Sequence, residues 1–316
     1  MKKKVLSMLV LLMTAVTGAR AAWTGGTYTA TANENLGAIT VNGDATLTIN
    51  SDVTVTINNG LNITSGTLTV KGPGTLVVNG KAGSNGYNND DGDGGAGGTG
   101  GVAISGNIIV QGGATVKATG GNGGNGGNSD FDTGGNGAQG GAAITGEVTI
   151  QDASTLEATG GNGGKGGNGE GDAGNGGNGA NAIGGTLTYK GGTVTADGGN
   201  GGSGGSVDYG DNGSGGSAGK AFTTSVNFVS SDYILTDGSN AITTISNQKT
   251  VVIAEVVFTG YSVSLKEGTE DATNWQGKVE EGDYQSLPLT GVEAGTTVTV
   301  KYNGTKKVKS VKAKKK

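Results

Sequence analysis

An internal repeat of two lengths constrains this chain more than any other feature. Gly106–Val110, Gly146–Ile150 and Gly185–Tyr189 are each followed by a second β-patterned run, at Thr115–Thr119, Thr155–Thr159 and Thr193–Asp197. A Gly-Gly-Asn-Gly-Gly stretch then follows every time, and the whole recurs at offsets of 40 and then 39 or 38 residues. Nearer the start, Thr46–Ile49 aligns with Thr67–Val70, and Thr54–Asn58 with Thr75–Asn79, at an offset of only 21. The unit is therefore about 21 residues, and a Gly-rich insertion of 18 or 19 residues at one corner makes the longer period.

Each unit reads as one coil of a β-solenoid. Alternate residues of a strand face the same side, so stacked coils build ladders. The repeat predicts an apolar ladder of Leu47, Leu68, Ile108, Val148 and Leu187 and a second of Ile49, Val70, Val110, Ile150 and Tyr189. On the other run it predicts Val55, Leu76, Val116, Leu156 and Val194, with a narrowing fourth ladder from Ile57 and Val78 to Ala118, Ala158 and Ala196. One coil cannot bury these faces, whereas stacked neighbours can. A further coil is expected through Val226 and Phe228, and Trp23 and Tyr28 are expected to cap the start. Alternating runs after Asn247, with Trp275 and Tyr284, predict a separate small β-sandwich. The expected fold is all-β: a parallel β-solenoid of ~21-residue coils with polyglycine-II-like arms, then a C-terminal β-sandwich. The domains expected are 22–247 for the solenoid, with arms near 80–102, 120–142, 160–182 and 198–220, 248–305 for the sandwich, and 306–316 for a solvated Lys-rich tail.

The insertions have a period of three. Asn122, Asn125 and Asn128 are followed by Asn136 and Gln139, and the next insertion repeats the pattern with Asn162, Lys165 and Asn168, then Asn175, Asn178 and Asn181. Three residues per turn is the polyproline II period, in which every third side chain projects the same way. A flexible Gly/Asn linker is the rival reading, because ordering about 20 residues costs roughly 20–40 kcal/mol with little apolar burial in return. The constant period, length and entry corner favour ordered arms.

Composition excludes several function classes. Lys2–Lys4, the apolar run Val5–Val16 and Ala19-Arg20-Ala21 have the layout of a secretory signal, so export with cleavage after residue 21 is expected. The chain has no Cys and no His, and its single Arg is Arg20. Disulfides, imidazole bases and bidentate guanidinium clamps are thus missing after cleavage. Ala22–Val300 carries nine lysines against 26 acids, a poor surface for nucleic acid. No membrane span is expected in the mature chain. The outward positions of the coils are Thr and Asn rather than paired carboxylates, so no enzyme activity is expected.

The midpoints of the insertions carry the candidate site. They hold Tyr87, Asp90 and Asp91; then Asp130, Phe131 and Asp132; then Glu170 and Asp172; then Asp208, Tyr209 and Asp211. If the arms stack, their tips align along one edge, with aromatics for sugar faces and carboxylates for hydroxyls. A purely polar, soluble turn is the alternative. No cofactor is expected. Calcium is a candidate ligand of the acid ladders, since carboxylates ~4.8 Å apart repel by ~0.9 kcal/mol even in water.

Ala103–Asn122 and its repeats resemble the glycine-rich β-helix proteins that Bacteroidetes export to their surface. Leu287–Thr305 with Lys309–Lys312 is similar to terminal modules of those proteins. The Gly-Gly-x arms resemble the polyglycine-II sandwich of phage tail-fibre tip adhesins, where the arm tips contact the receptor. These resemblances imply a secreted or cell-surface adhesin that binds a glycan or a host or bacterial surface receptor. A structural spacer without a specific ligand is the second expectation, and ice binding, from the Thr-x-Thr runs at Thr46 and Thr54, ranks last.

Overall fold

The computed structural model describes residues 22–23, 26–207, 209–229, 233–255, 261–263, 275–293, 296–302 and 309–312. The expected leader at 1–21 lies outside them. Two compact units divide the chain, residues 1–255 and 256–316.

The first unit is a β-solenoid. One sheet stacks Ile39–Asn42, Leu61–Lys71, Ile104–Gln111, Val148–Ile150, Leu187–Tyr189 and Val226–Phe228, all parallel. Ala22–Trp23 opens it, and Gly26–Ala30 and Ala45–Ile49 join beside the long strand Leu61–Lys71. The other sheet stacks Glu34–Leu36, Thr54–Asn58, Thr75–Asn79, Thr115–Thr119, Thr155–Thr159 and Thr193–Asp197, also parallel. The apolar residues of both sheets meet in one core, where Leu47, Val70, Val110 and Ile150 are fully buried opposite Val55, Leu76, Val116 and Leu156. The hydroxyl of Tyr189, also buried, donates to Gly192 O at 2.7 Å. Burial, aided by the charge of Glu255, pushes that phenol up to about 12.

The ladders follow the repeat except at one step. Leu68, Ile108, Val148 and Leu187 pair as expected, as do Val70, Val110, Ile150 and Tyr189. Leu47, however, pairs with Val70, and Ala45 with Leu68, two residues away from the alignment by sequence identity. Ile49 pairs with Ala30 in the preceding coil. In the other sheet Thr54 pairs with Thr75, as the 21-residue offset requires. Between the paired positions Thr48/Lys71 and Thr54/Thr75 the chain runs through five residues, Ile49–Val53, in one coil and three, Gly72–Gly74, in the next, which absorbs the difference. A shift of two keeps every side chain on its own face, so the apolar pattern could not distinguish the registers. The structure also adds a ladder with one residue per coil, Ile39, Leu61, Ile104, Ile144, Ile183 and Phe222, at a third face. A single apolar residue per coil has no alternation to reveal it.

The last coil reverses. Val226–Phe228 continues the first sheet, but the second sheet receives Thr250–Glu255, antiparallel to Thr193–Asp197, and then Tyr233–Thr236, antiparallel again. The turn between them is tied by Asp237, whose Oδ1 accepts from Asn240 N at 2.7 Å and Ser239 N at 2.9 Å. Those bonds hold its carboxyl below the usual range. Thr250–Glu255 was expected in the C-terminal module. It belongs to the solenoid instead, because Val251 and Ile253 complete the apolar ladders above Ala196 and Val194.

Four hairpin arms leave the corner after Thr75–Asn79, Thr115–Thr119, Thr155–Thr159 and Thr193–Asp197, and they are ordered. Within each layer, the first residue of every triplet donates to the third residue of the next arm: Gly83 N to Asn122 O and Gly123 N to Asn162 O, both at 2.8 Å. The second residue donates between outgoing and returning segments, as in Gly124 N to Gly98 O at 2.8 Å. The third N–H is taken by an Asn side chain of the arm before: Asn125 Oδ1 accepts from Lys165 N and Asn128 Oδ1 from Asn168 N, both at 2.9 Å. Where the arm before carries Asn at the third position, all three donors of a triplet are satisfied, which offsets the ordering cost that favoured a linker. Glycine is obligatory at the close approaches. A Cβ on Gly124 would sit 1.8 Å from Ser84 O.

The second unit pairs Trp275–Val279 with Gln285–Ser286 and with Thr297–Tyr302, all antiparallel, around buried Leu289, Val292, Val298 and Val300. Tyr261–Val263 pairs with Leu289–Val292. Trp275 packs on this core, but Tyr284 is clasped by Lys278 and Lys301 at 5.6 and 3.8 Å from its ring centroid. The tail expected to be solvated supplies a strand, Lys309–Lys312, paired with Thr297–Val300. Val311 stands in register with Val298.

Candidate functional site: arm tips and the asparagine face

The ladder bonds position the tips. Asn89 bridges Ser129 in parallel register, and Gly169 bridges Val207. Asp90, Asp130 and Glu170 consequently share one register, with Asp130 N directed at Asn89 O at 3.4 Å. Asp132, Asp172 and Asp211 share the next, where Asp172 Oδ1 accepts from Asp211 N at 3.2 Å. Asp93 Oδ1 likewise accepts from Thr133 N at 3.3 Å. Some tip carboxylates thus do the same job as the shaft asparagines, accepting a backbone N–H from the next arm. Among the described residues no three acids gather closely enough to hold one metal ion. Asp208 lies outside the described residues.

Ser129 locks the second tip, a role the sequence reading missed. It is 4 % exposed; its Oγ donates to Gly92 O at 2.7 Å and accepts from Asp132 N at 2.8 Å. This turn holds Phe131 out at 72 % exposure. Tyr209, on the fourth tip, is 93 % exposed. Two arm spacings of ~4.8 Å separate their arms, about 10 Å, with Glu170 and Asp172 on the tip between them. The expected aromatic edge is therefore shared by Phe131 and Tyr209.

Tyr87, itself 69 % exposed, stands lower on its arm than they do. It stands in register with Gly127, on the shaft of the first arm, and its ring lies against Gly95, where an added Cβ would meet Cδ1 at 2.5 Å. Lys81, Ser84 and Tyr87 occupy the second triplet position, which is glycine in the outgoing segments of later arms because the arm below would collide with any Cβ. The first arm has no arm below it. Its three side chains stand on that open face, and all three are exposed.

The third triplet positions form a second surface. On the outgoing segments they are exposed and regular, and a trough floored by Gly86, Gly126, Gly166 and Gly204 runs across the arms between two rows of them. The sequence contained the signal, since these residues recur at the arm-to-arm offset. A period of three shows projection alone and not the hydrogen bonds that orient each amide.

No family model and no curated protein matches the chain. Among solved structures, it is similar to the nine polyproline type II helical bundle springtail antifreeze protein from Granisotoma rainieri. The two share 26 % identity over 46 % of this chain and 97 % of that one, with a TM-score of 0.21.

Proposed function

We propose that this chain is a non-catalytic, secreted or cell-surface adhesin that binds a glycan or a surface receptor through its arm tips. The exposure of Phe131 and Tyr209 on hydrogen-bonded turns carries this reading. An aromatic face held out by a rigid arm loses little freedom when a sugar ring stacks on it, and the neighbouring carboxylates accept hydroxyl protons. The finer assignment, to the glycine-rich surface β-helices of Bacteroidetes, rests on the resemblance of the repeats.

A glycan and mucin array tests the reading. Wild type should bind at least one class, and Phe131→Ala with Tyr209→Ala should lower that signal at least tenfold while the far-ultraviolet spectrum stays unchanged. Tyr87→Ala alone should leave binding intact. Equal binding by the double variant would remove the tips from consideration. Silence of wild type on the array and on whole cells would leave the structural spacer as the better account.

A further inference from the structure

We infer that the outgoing face of the arms is a second binding site, a donor-lined trough for a linear neutral oligosaccharide. The inference rests on the glycan-binding reading above but places the contact on the shafts.

The walls of the trough are Asn85, Asn125 and Lys165 on one side and Asn88, Asn128 and Asn168 on the other, all exposed, and the last arm extends them with Ser203 and Ser206. Wall-to-wall separation is three residues of extended helix, about 9 Å at ~3.1 Å per residue. Neighbouring groups along a wall are ~4.8 Å apart, so four arms give a run of about 14 Å. The glycine floor leaves the trough open along its length.

The amides of the walls are oriented by the fold. Only an oxygen can accept a backbone N–H, and each wall asparagine spends its Oδ1 on the next arm. Asn85 accepts from Asn125 N at 3.0 Å, Asn88 from Asn128 N at 2.8 Å, and Asn168 from Ser206 N at 3.0 Å. Asn125 and Asn128 do the same for Lys165 and Asn168. Each Nδ2 keeps two donors, and among the described residues none of these five has a protein acceptor. The walls therefore present repeating donors whose orientation is already fixed, so a ligand need not order them.

Such a surface selects a polymer with acceptors at regular intervals. Hydroxyl and acetamido oxygens of an extended glycan meet that requirement. The acidic solenoid around the trough works against a polyanion, and the walls themselves hold no acid, Lys165 being their one charged group.

An Asn→Asp substitution separates the structural use of these residues from the binding use. Aspartate keeps an oxygen for the next arm's N–H and loses the donors. Titration calorimetry with cellohexaose and chitohexaose should show wild type binding one of them. Asn125→Asp with Asn168→Asp should bind at least tenfold more weakly with an unchanged melting temperature, and the loss in Phe131→Ala with Tyr209→Ala should be the smaller of the two. If the Asp pair lowers the melting temperature, Ser203→Asn with Ser206→Asn tests the claim in the opposite sense. It replaces one hydroxyl donor by the two N–H donors of an amide at the end of each wall and should tighten binding at least threefold.

Undiminished binding by a folded Asp pair, or no tightening by the Asn pair, overturns the trough. Loss in the aromatic variant alone also overturns it while supporting the tips. No heat from wild type with either hexasaccharide overturns the trough and leaves the tip reading to the array.

Discussion

Side-chain size in the arms is set by distance to the next backbone. Gly124 faces Ser84 O, and Gly164 faces Gly124 O, where a Cβ would lie at 1.9 Å. On the outer side of the last arm the same kind of residue is unconstrained: a Cβ on Gly215 would meet only Gly202 O, at 3.6 Å. Gly124→Ala should consequently cost about 1–3 kcal/mol, the range for forced overpacking. Gly215→Ala should stay within about 0.5 kcal/mol, as for an ordinary surface change. Chemical denaturation of the two variants beside wild type checks this, and equal losses would contradict the packing described. The glycine period was legible in the sequence, as was the place of Phe131 and Tyr209 at tips. The placing of Tyr87 was not, because an aromatic near a midpoint looks alike whether it crowns a turn or stands on a shaft. Only the register with Gly127 separates the two.

At the scale of the elements, coils and arms are held by different means. A coil buries apolar ladders, whereas an arm is held almost wholly by backbone and asparagine bonds to its neighbours. Each such bond contributes about 1 kcal/mol net, against roughly 1–2 kcal/mol per ordered residue. An arm is therefore close to balance, and the solenoid should not depend on it. The chain already shows how to close a coil without one, since Asn59 and Gly60 turn the corner between Thr54–Asn58 and Leu61 with φ of 66° and 99°. Replacing residues 198–221, the last arm, by Asn-Gly should leave a soluble protein with the same β spectrum and cooperative melting. Removing an inner arm is a harsher change, because it strands the arms on either side two spacings apart. Loss of folding in the last-arm replacement would mean that the arms and not the ladders sustain the stack. The two-length repeat made this division readable in advance. What it could not show was that asparagine binds each arm to the next, since a period of three also suits a solvated linker.

Across the whole molecule, the point where the glycine repeat stops is not the point where the solenoid stops. The change of composition after Asn247 placed the boundary at 248, but the strand that follows lies on the second sheet as its antiparallel cover. Its removal would expose the edge of Thr193–Asp197 and uncover Val194 and Ala196, both fully buried in the intact stack. It would also take away Lys249, which pairs with Asp197 at 2.8 Å and whose carbonyl accepts from Gly198 N at 2.8 Å at the root of the last arm. The carbonyl of Gln248 does the same for Ala221 N at 2.8 Å. The ion pair is half exposed and contributes little by itself. The uncovered edge matters more, because unpaired N–H and C=O groups on a long flat stack invite pairing with other chains. Two truncations distinguish the boundaries. A chain ending at Glu255 should be soluble and should melt cooperatively without the second unit. A chain ending at Asn247, eight residues shorter, should elute as aggregates on size exclusion. Equal solubility of the two would show that the antiparallel strand is not what terminates the stack.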